Sequence, residues 1–160
     1  AGVVTSSTRG IRIGGDDNSI EYITIQSTGT ASDFGDITDS LSKTMNSGCQ
    51  STTRGVFMGG YTNPSPGNDR VTIQYITMAS TGNSADFGDL TVARRAGGSA
   101  GNATRALHAG GRQVPSSLTS NITDYLTIAS LGNAQDFGDL MENRTASGTV
   151  CDSHGGLGGF

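Results

Sequence analysis

The tetrapeptide Asp-Phe-Gly-Asp occurs three times in this chain of 160 residues, at 33–36, 86–89 and 136–139. Each copy lies within a longer sequence segment that also repeats, and self-similarity at a fixed period is the signature of a repeat protein. The period of about 50 residues suits a unit of four short strands better than the shorter rung of a solenoid. We therefore expect a single all-β repeat array over 1–160, with repeats at approximately 1–41, 42–94 and 95–144 and a partial unit at 145–160.

Each unit contains four pieces of strand length. The first piece ends in a glycine pair, which indicates that the backbone turns there or passes close to a neighbour. The second carries a tyrosine among β-branched residues, a composition typical of strands. The third contains the repeated tetrapeptide, and the fourth is rich in serine and glycine. The first pieces are 8–15, 53–60 and 104–111, and the second pieces are 20–25, 73–78 and 123–128.

Composition and charge exclude two classes of partner. The formal net charge is −4 and Lys43 is the only lysine, whereas a protein that binds nucleic acid through the phosphate backbone needs clustered basic residues. No apolar run approaches the roughly 20 residues that span a bilayer as a helix. We therefore expect neither a nucleic-acid partner nor membrane insertion.

The recurrence of the tetrapeptide favours a structural role over a catalytic one. Asp-Phe-Gly also occurs in protein kinases, but the Gly-rich loop, the ion-paired lysine and the His-Arg-Asp loop of a kinase are missing. A catalytic group is needed once, whereas a packing solution is needed in every unit. We expect the phenylalanine to be buried between units, the glycine to turn, and the aspartates to accept hydrogen bonds from turn amides or to pair with a repeated arginine. The residues of this structural motif are Asp33, Phe34, Asp36, Asp86, Phe87, Asp89, Asp136, Phe137, Asp139, Arg9, Arg54 and Arg105.

Other polar clusters give weak signals for chemistry. The oxygen-rich run 16–18 suits calcium in ligand type but lacks the spacing of a helix-flanked calcium loop, so a solvated turn is the favoured interpretation. His108 and His154 have no cysteine or histidine partner at metal-ligand spacing. Cys49 and Cys151 occupy equivalent positions of two units, where buried thiols are favoured over a disulfide. We expect no enzyme activity, no cofactor and no metal.

The loop after each glycine pair is where the units differ most. It is short in the first unit, at 16–19, and long in the other two, at 61–70 and 112–121. Insertions in repeat proteins map to loops on one face, which is often the binding face. Aromatic and arginine side chains carry a large share of binding energy. The candidate binding residues are Tyr61, Asn63, Asp69, Arg70, Arg112 and Gln113, and the alternative is that these loops only connect strands.

The order of these features resembles the kelch repeat: a glycine-pair strand, a tyrosine-bearing strand, an aromatic residue, and an arginine before the next unit. The usual kelch tryptophan is replaced by the phenylalanine of the tetrapeptide. The repeated sequence is similar to kelch-like repeats in virion and tail-fibre proteins of marine tailed phages, cyanophages especially. It reads Thr-Arg-Gly-Val-Phe-x-Gly-Gly, followed by Tyr-Ile-Thr-Ile-x-Ser-Thr-Gly-Asn-x-x-Asp-Phe-Gly-Asp-Leu. The similarity covers nearly the whole chain.

The resemblance implies β-propeller blades and a structural or adhesion role in a virion appendage, outside the cell. Its implied partners are other virion proteins or further copies of the chain, and a host-surface glycan or protein. A cellular kelch-type scaffold for protein–protein contacts is the alternative. A closed propeller needs roughly four to eight blades, so three units and half of a fourth predict a ring completed either by missing sequence or by oligomerisation.

Overall fold

The computed structural model describes residues 2–15, 17–38, 47–61, 69–113, 118–145 and 148–152. These residues form thirteen β-strands and no helix. The strands make three sheets that follow one another along the chain, and within each sheet the first four strands pair as antiparallel neighbours in sequence order. The prediction of an all-β fold with four-stranded units is confirmed.

The three sheets are named I, II and III. Sheet I contains β1 (Gly2–Thr5), β2 (Arg9–Ile13), β3 (Ser19–Thr24) and β4 (Ser32–Asp36). Sheet II contains β5 (Ser47–Gln50), β6 (Arg54–Met58), β7 (Thr72–Thr77) and β8 (Ala85–Asp89). Sheet III contains β9 (Gly98–Asn102), β10 (Arg105–Ala109), β11 (Ser120–Thr127), β12 (Gln135–Arg144) and β13 (Thr149–Asp152).

The last strand differs from the expected half unit. β13 does not start a fourth sheet within the described residues but pairs in parallel with β9, so that Val150 lies opposite Ala100. Its sequence is that of a first strand, like β1 or β5, yet no following Thr-Arg strand is described to pair with it. The open edge of β9 offers unpaired backbone groups, and β13 satisfies them.

The repeated tetrapeptide forms a β-bulge in every sheet. In sheet I, Ile20 lies opposite Gly35 and Glu21 opposite Asp33, so Phe34 is the extra residue. The same shift occurs at the tetrapeptide of sheets II and III. The glycine that follows has a positive φ in each copy, from 130° to 148°. A bulge bends its strand and redirects a side chain, which explains why phenylalanine and glycine recur together.

The glycine pair lets the strand pass close to its own sheet's last segment. Gly59 has a φ of 65°, and a Cβ there would lie 2.4 Å from the backbone oxygen of Arg94. Gly110 stands in the same relation to the backbone oxygen of Arg144, at 2.5 Å. The prediction of a turn or close approach at the glycine pair is confirmed at both places.

Two apolar clusters hold the sheets together, face against face. We call the face of a sheet that the next sheet covers its trailing face, and the face turned to the preceding sheet its leading face. In the contact I/II the trailing residues are Val4, Ile11, Ile13, Ile20, Phe34 and Ile37, and the leading residues are Phe57, Ile76 and Met78. In the contact II/III they are Cys49, Val56, Met58, Ile73, Phe87 and Leu90, against Ala106, Leu126, Ile128 and Ala134.

Burial of the repeated phenylalanine is confirmed for two copies and wrong for the third. Phe34 is 2% exposed and Phe87 3%, whereas Phe137 is 55% exposed. The physical reason is position, because each phenylalanine is covered by the following sheet and no described sheet follows sheet III.

Candidate functional site

The repeated arginine, tyrosine and phenylalanine form the same stack on each sheet. The guanidinium carbon lies 4.9 to 5.0 Å from the tyrosine ring centre in all three sheets. The tyrosine meets the phenylalanine of the tetrapeptide edge to face, with 6.0 Å between ring centres. Both geometries are attractive ones for charged and aromatic groups. The stacks are Arg9–Tyr22–Phe34, Arg54–Tyr75–Phe87 and Arg105–Tyr125–Phe137.

Arg9 and Arg54 reach across to the next sheet and do not pair with the motif aspartates. Arg9 Nη1 donates to the backbone oxygen of Met78 at 3.2 Å. Arg54 Nη1 donates to the backbone oxygens of Ile128 and Ala129, each at 3.0 Å. Among the described residues no ion pair joins these arginines to Asp33, Asp36 or their repeats. Where a following sheet is present, in sheets I and II, the repeated arginine is therefore a clamp between sheets.

The backbone of the tetrapeptide is also used by the next sheet. Gly82 N donates to Phe34 O at 2.7 Å and Ser84 N donates to Asp36 O at 2.9 Å. The contact II/III repeats this with Gly132 N to Phe87 O and Ala134 N to Asp89 O, at 2.9 and 2.8 Å. An asparagine completes each set, since Asn83 and Asn133 accept from the amides of Asp36 and Asp89.

Close approach at these hydrogen bonds requires the motif glycine. A Cβ on Gly35 would lie 2.4 Å from the backbone oxygen of Gly82, and one on Gly88 would lie 2.4 Å from that of Gly132. At Gly138, in sheet III, a Cβ would meet nothing within 4 Å. The tetrapeptide is therefore in close contact with the backbone of the next sheet wherever a following sheet is present.

The base of the long loop in sheet II is closed by an arginine that the sequence interpretation missed. Arg95 Nη1 pairs with Asp69 Oδ1 at 2.6 Å, and both side chains are nearly buried. The guanidinium carbon of Arg95 also lies 4.3 Å from the ring centre of Tyr61. Asp69 and Tyr61 form a β-bridge across the loop ends. We call Tyr61, Asp69, Arg95 and Arg112 the loop-base cluster.

Arg95 also joins the two long loops to each other. Arg95 N donates to Arg112 O at 3.0 Å, and Arg112 N donates to Arg95 O at 2.8 Å. The next residue, Ala96, has a φ of 53°, which is uncommon for a residue with a side chain. A sequence signal existed, because Arg95 follows the repeated Arg94 and has no arginine counterpart in the other units.

Three of the predicted loop residues, Tyr61, Asp69 and Arg112, belong to the loop-base cluster. Tyr61 and Asp69 hold Arg95 in place, and Arg112 is exposed beside them. Gln113 is half-buried, and its backbone amide donates to Leu118 O at 3.0 Å. Arg70 is half-buried, and its amide donates to Gly60 O at 3.0 Å. Asn63 lies outside the described residues.

A second polar group lies inside the contact II/III. Arg94 Nη2 pairs with Asp124 Oδ2 at 3.0 Å and donates to His108 O at 3.1 Å, with both side chains of the pair buried. His108 Nδ1 lies 2.6 Å from Ser47 Oγ. Burial, and then the positive charge of Arg94, lower the pKa of His108 to about 3. A serine beside a histidine resembles a nucleophile with its base, but this pair is sealed between two sheets and its histidine is a poor base.

The remaining sequence expectations concern metals and membranes. At the first loop, Asp17 Oδ1 accepts from the amide and hydroxyl of Ser19, as in a capped turn. Within the described part of the chain, no three histidine, cysteine or acidic side chains are grouped as a metal site. The same residues contain no helix of the length and hydropathy needed to cross a membrane.

No protein-family model matches the chain, and no curated protein matches it.

Proposed function

We propose that the protein is a non-enzymatic structural or adhesion module of a phage virion appendage. It is built of kelch-like β-propeller blades and binds a host-surface glycan or protein through the loops that follow the glycine pairs. The observation that carries this proposal is that the repeated residues and the variable residues make different contacts. The residues that repeat are used in contacts between sheets, whereas the residues that vary meet at one edge of sheets II and III.

The loop-base cluster supports a binding role for that edge. Arg95 holds Tyr61 by its ring and Asp69 by its carboxylate, so the ends of the first long loop are preorganised. The two-way hydrogen bond between Arg95 and Arg112 fixes the second loop against the first. A preorganised site loses less entropy on binding. The exposed guanidinium of Arg112 offers donors for carboxylate or hydroxyl groups of a surface polysaccharide.

The test is binding of the purified chain to an array of bacterial lipopolysaccharides and capsular polysaccharides. We expect Arg112→Ala to weaken binding about tenfold or more, since it removes an exposed charged donor. Tyr61→Ala should weaken it as well by loosening Arg95. Thr52→Ala is the control, because Thr52 is exposed in the hairpin at the opposite end of β6. Absence of binding, or binding that neither loop variant changes, would reject the proposal.

A further inference from the structure

The leading face of sheet I carries apolar groups that sheets II and III bury. Ile23 is 49% exposed, while its repeat equivalents Ile76 and Leu126 are 2% and 4% exposed. Ile25 is exposed where Met78 and Ile128 are buried. Ala31 is exposed where Ser84 and Ala134 are buried. This face also contains a hollow of about 220 Å³, lined by Val3, Gly10, Ile23 and Ala31 among others.

The trailing face of sheet III shows the opposite half of the same pattern. Five apolar positions that are buried on the trailing faces of sheets I and II are all at least partly exposed here. A hollow of about 410 Å³ lies beside Arg105 and Tyr125. The repeat equivalents of Arg105, Arg9 and Arg54, bind carbonyls of the next sheet. The five sheet III residues are Ala100, Leu107, Ala109, Phe137 and Leu140.

The polar residues of the two exposed faces form a matching set. Arg144 stands at the same distance after its tetrapeptide as Arg94, the residue that pairs with Asp124. Glu21 precedes its tyrosine as Asp124 does, and Ala31 occupies the place of Ala134. The contact I/II uses a different set at these places, with Gln74 bonded to Ser84. Sequence position 41, outside the described residues, is correspondingly a leucine and not an arginine.

We propose that the trailing face of sheet III binds the leading face of sheet I of a second copy of this chain, in the register of the contact II/III. Phe137 then enters the hollow beside Ile23, and Arg144 pairs with Glu21. The amides of Gly29 and Ala31 donate to the backbone oxygens of Phe137 and Asp139. In the single chain, Arg144 and Glu21 form exposed ion pairs with Glu142 and Arg12, and such pairs contribute little to stability. Arg12, which takes the place of His108 in the contact, keeps Glu21 as its partner, because a carboxylate has two oxygens and can accept from both arginines.

Two copies joined this way at both ends form a closed ring. The contact is heterologous, so the second copy presents the same two faces and either returns to the first copy or starts a filament. Three sheets from each chain give a ring of six, inside the roughly four to eight blades known for propellers. Closure at two copies rests on the propeller architecture of the proposed function, whereas loop binding does not depend on it.

The test is the solution mass of the 160-residue chain, measured by sedimentation and light scattering from low micromolar to submillimolar concentration. We expect a discrete dimer of the 16.3 kDa chain. Phe137→Asp and Ile23→Asp should each give a folded monomer, since both side chains are exposed in the single chain. Ala129→Asp is the control. Ala129 is also exposed, but it stands on the side of sheet III that faces sheet II, where its backbone oxygen accepts from Arg54, so it lies outside the proposed contact.

A charge exchange tests the register. Arg144→Glu should raise the dimer dissociation constant about tenfold or more, because two carboxylates then face each other. Adding Glu21→Arg to the same chain should restore association. A monomer at all concentrations, an open filament, a dimer that survives both aspartate variants, or a charge exchange without effect would each overturn the proposal. The polysaccharide array of the preceding section reads the loops alone, so the two failures are distinguishable.

Discussion

The two contacts between sheets share an apolar and backbone frame but differ in the polar group beside it. Both contain a buried phenylalanine from a bulge, an arginine clamp and two backbone hydrogen bonds from the next sheet. In the contact I/II the amide of Thr38 donates to Ser84 Oγ at 2.8 Å. In the contact II/III the amide of Thr91 donates to Asp124 at 3.0 Å, and Arg94 neutralises that carboxylate.

The difference shows which parts of such a contact can vary. The neutral set, with Gln74 and Ser84, and the ionic set, with Arg94 and Asp124, fit the same frame. In each set the buried acceptor has a donor, since Gln74 accepts from Ser84 and Asp124 from Arg94, and a buried polar group without its partner costs free energy. We infer that these residues are interchangeable as a set and not one at a time.

The largest effect should come from the shared frame. Phe34→Ala and Phe87→Ala should each lower the free energy of unfolding by about 3–5 kcal/mol, the usual cost of truncating a buried phenylalanine. Urea denaturation of both variants measures this. Similar losses would confirm that the frame is the same in both contacts. A tolerated Phe87→Ala would show that the bulge does not space the sheets.

The next effect should come from the polar set of the contact II/III. Arg94→Leu should cost about 3 kcal/mol, because it leaves the carboxylate of Asp124 buried without its counter-charge. The variant Arg94→Leu/Asp124→Gln/Ala134→Ser copies the other contact and should recover most of the loss. Arg94 Nε and Nη1 have no hydrogen-bond partner among the described residues, which lowers the net stabilisation that the native ion pair provides. Urea denaturation of both variants measures these free energies of unfolding. A triple variant that is no more stable than Arg94→Leu would contradict the inference that the residues are interchangeable as a set.

The smallest effect should be a pH dependence confined to the contact II/III. The pKa of His108 is lowered from 6.5 to about 3, so only the unfolded chain binds this proton between those values. Stability from the neutral imidazole is therefore complete above pH 6.5 and falls, by about 1 kcal/mol per pH unit, as the pH drops toward 3. Phe57 stands at this position in the contact I/II and does not titrate.

His108→Gln removes the titrating group and keeps an acceptor for Ser47. Unfolding free energies of the native chain and this variant, measured from pH 7 to pH 5, should diverge in slope. The native chain should lose roughly 1–2 kcal/mol more than the variant over that range. Parallel curves would mean that water reaches His108 in the folded state.

The strands could be predicted from the sequence because every unit contains the same local sequence motifs. A glycine pair, a tyrosine-bearing run and a Gly-containing tetrapeptide mark strand ends by backbone preference alone. The bulge was not predictable, because it is a property of pairing: it exists only where Ile20 faces Gly35 and Glu21 faces Asp33. Burial of the third phenylalanine was mispredicted, since identical sequence says nothing about which neighbour is present.

The position of the candidate site could be predicted from the sequence, but not all of the residues that form it. Variable length located the loops, and Tyr61, Asp69 and Arg112 do meet there. Arg95 was missed because it lies outside both loops and acts across strands. The ion pair of Arg94 and Asp124 was missed for a similar reason, since its partners belong to different units and only a comparison of equivalent positions brings them together.

The repeated stack also determines what an optical experiment on this protein can report. The chain has no tryptophan and four tyrosines, three of which occupy the same setting between a guanidinium group and a phenylalanine edge. Ultraviolet emission and near-ultraviolet dichroism are therefore sums of one such signal from each sheet and a fourth from Tyr61, at the base of the long loop of sheet II. Repeat arrays can unfold in parts, and here loss of sheet I or sheet III would remove about a quarter of the amplitude and loss of sheet II about half. A single step would mean that the three sheets lose their structure together.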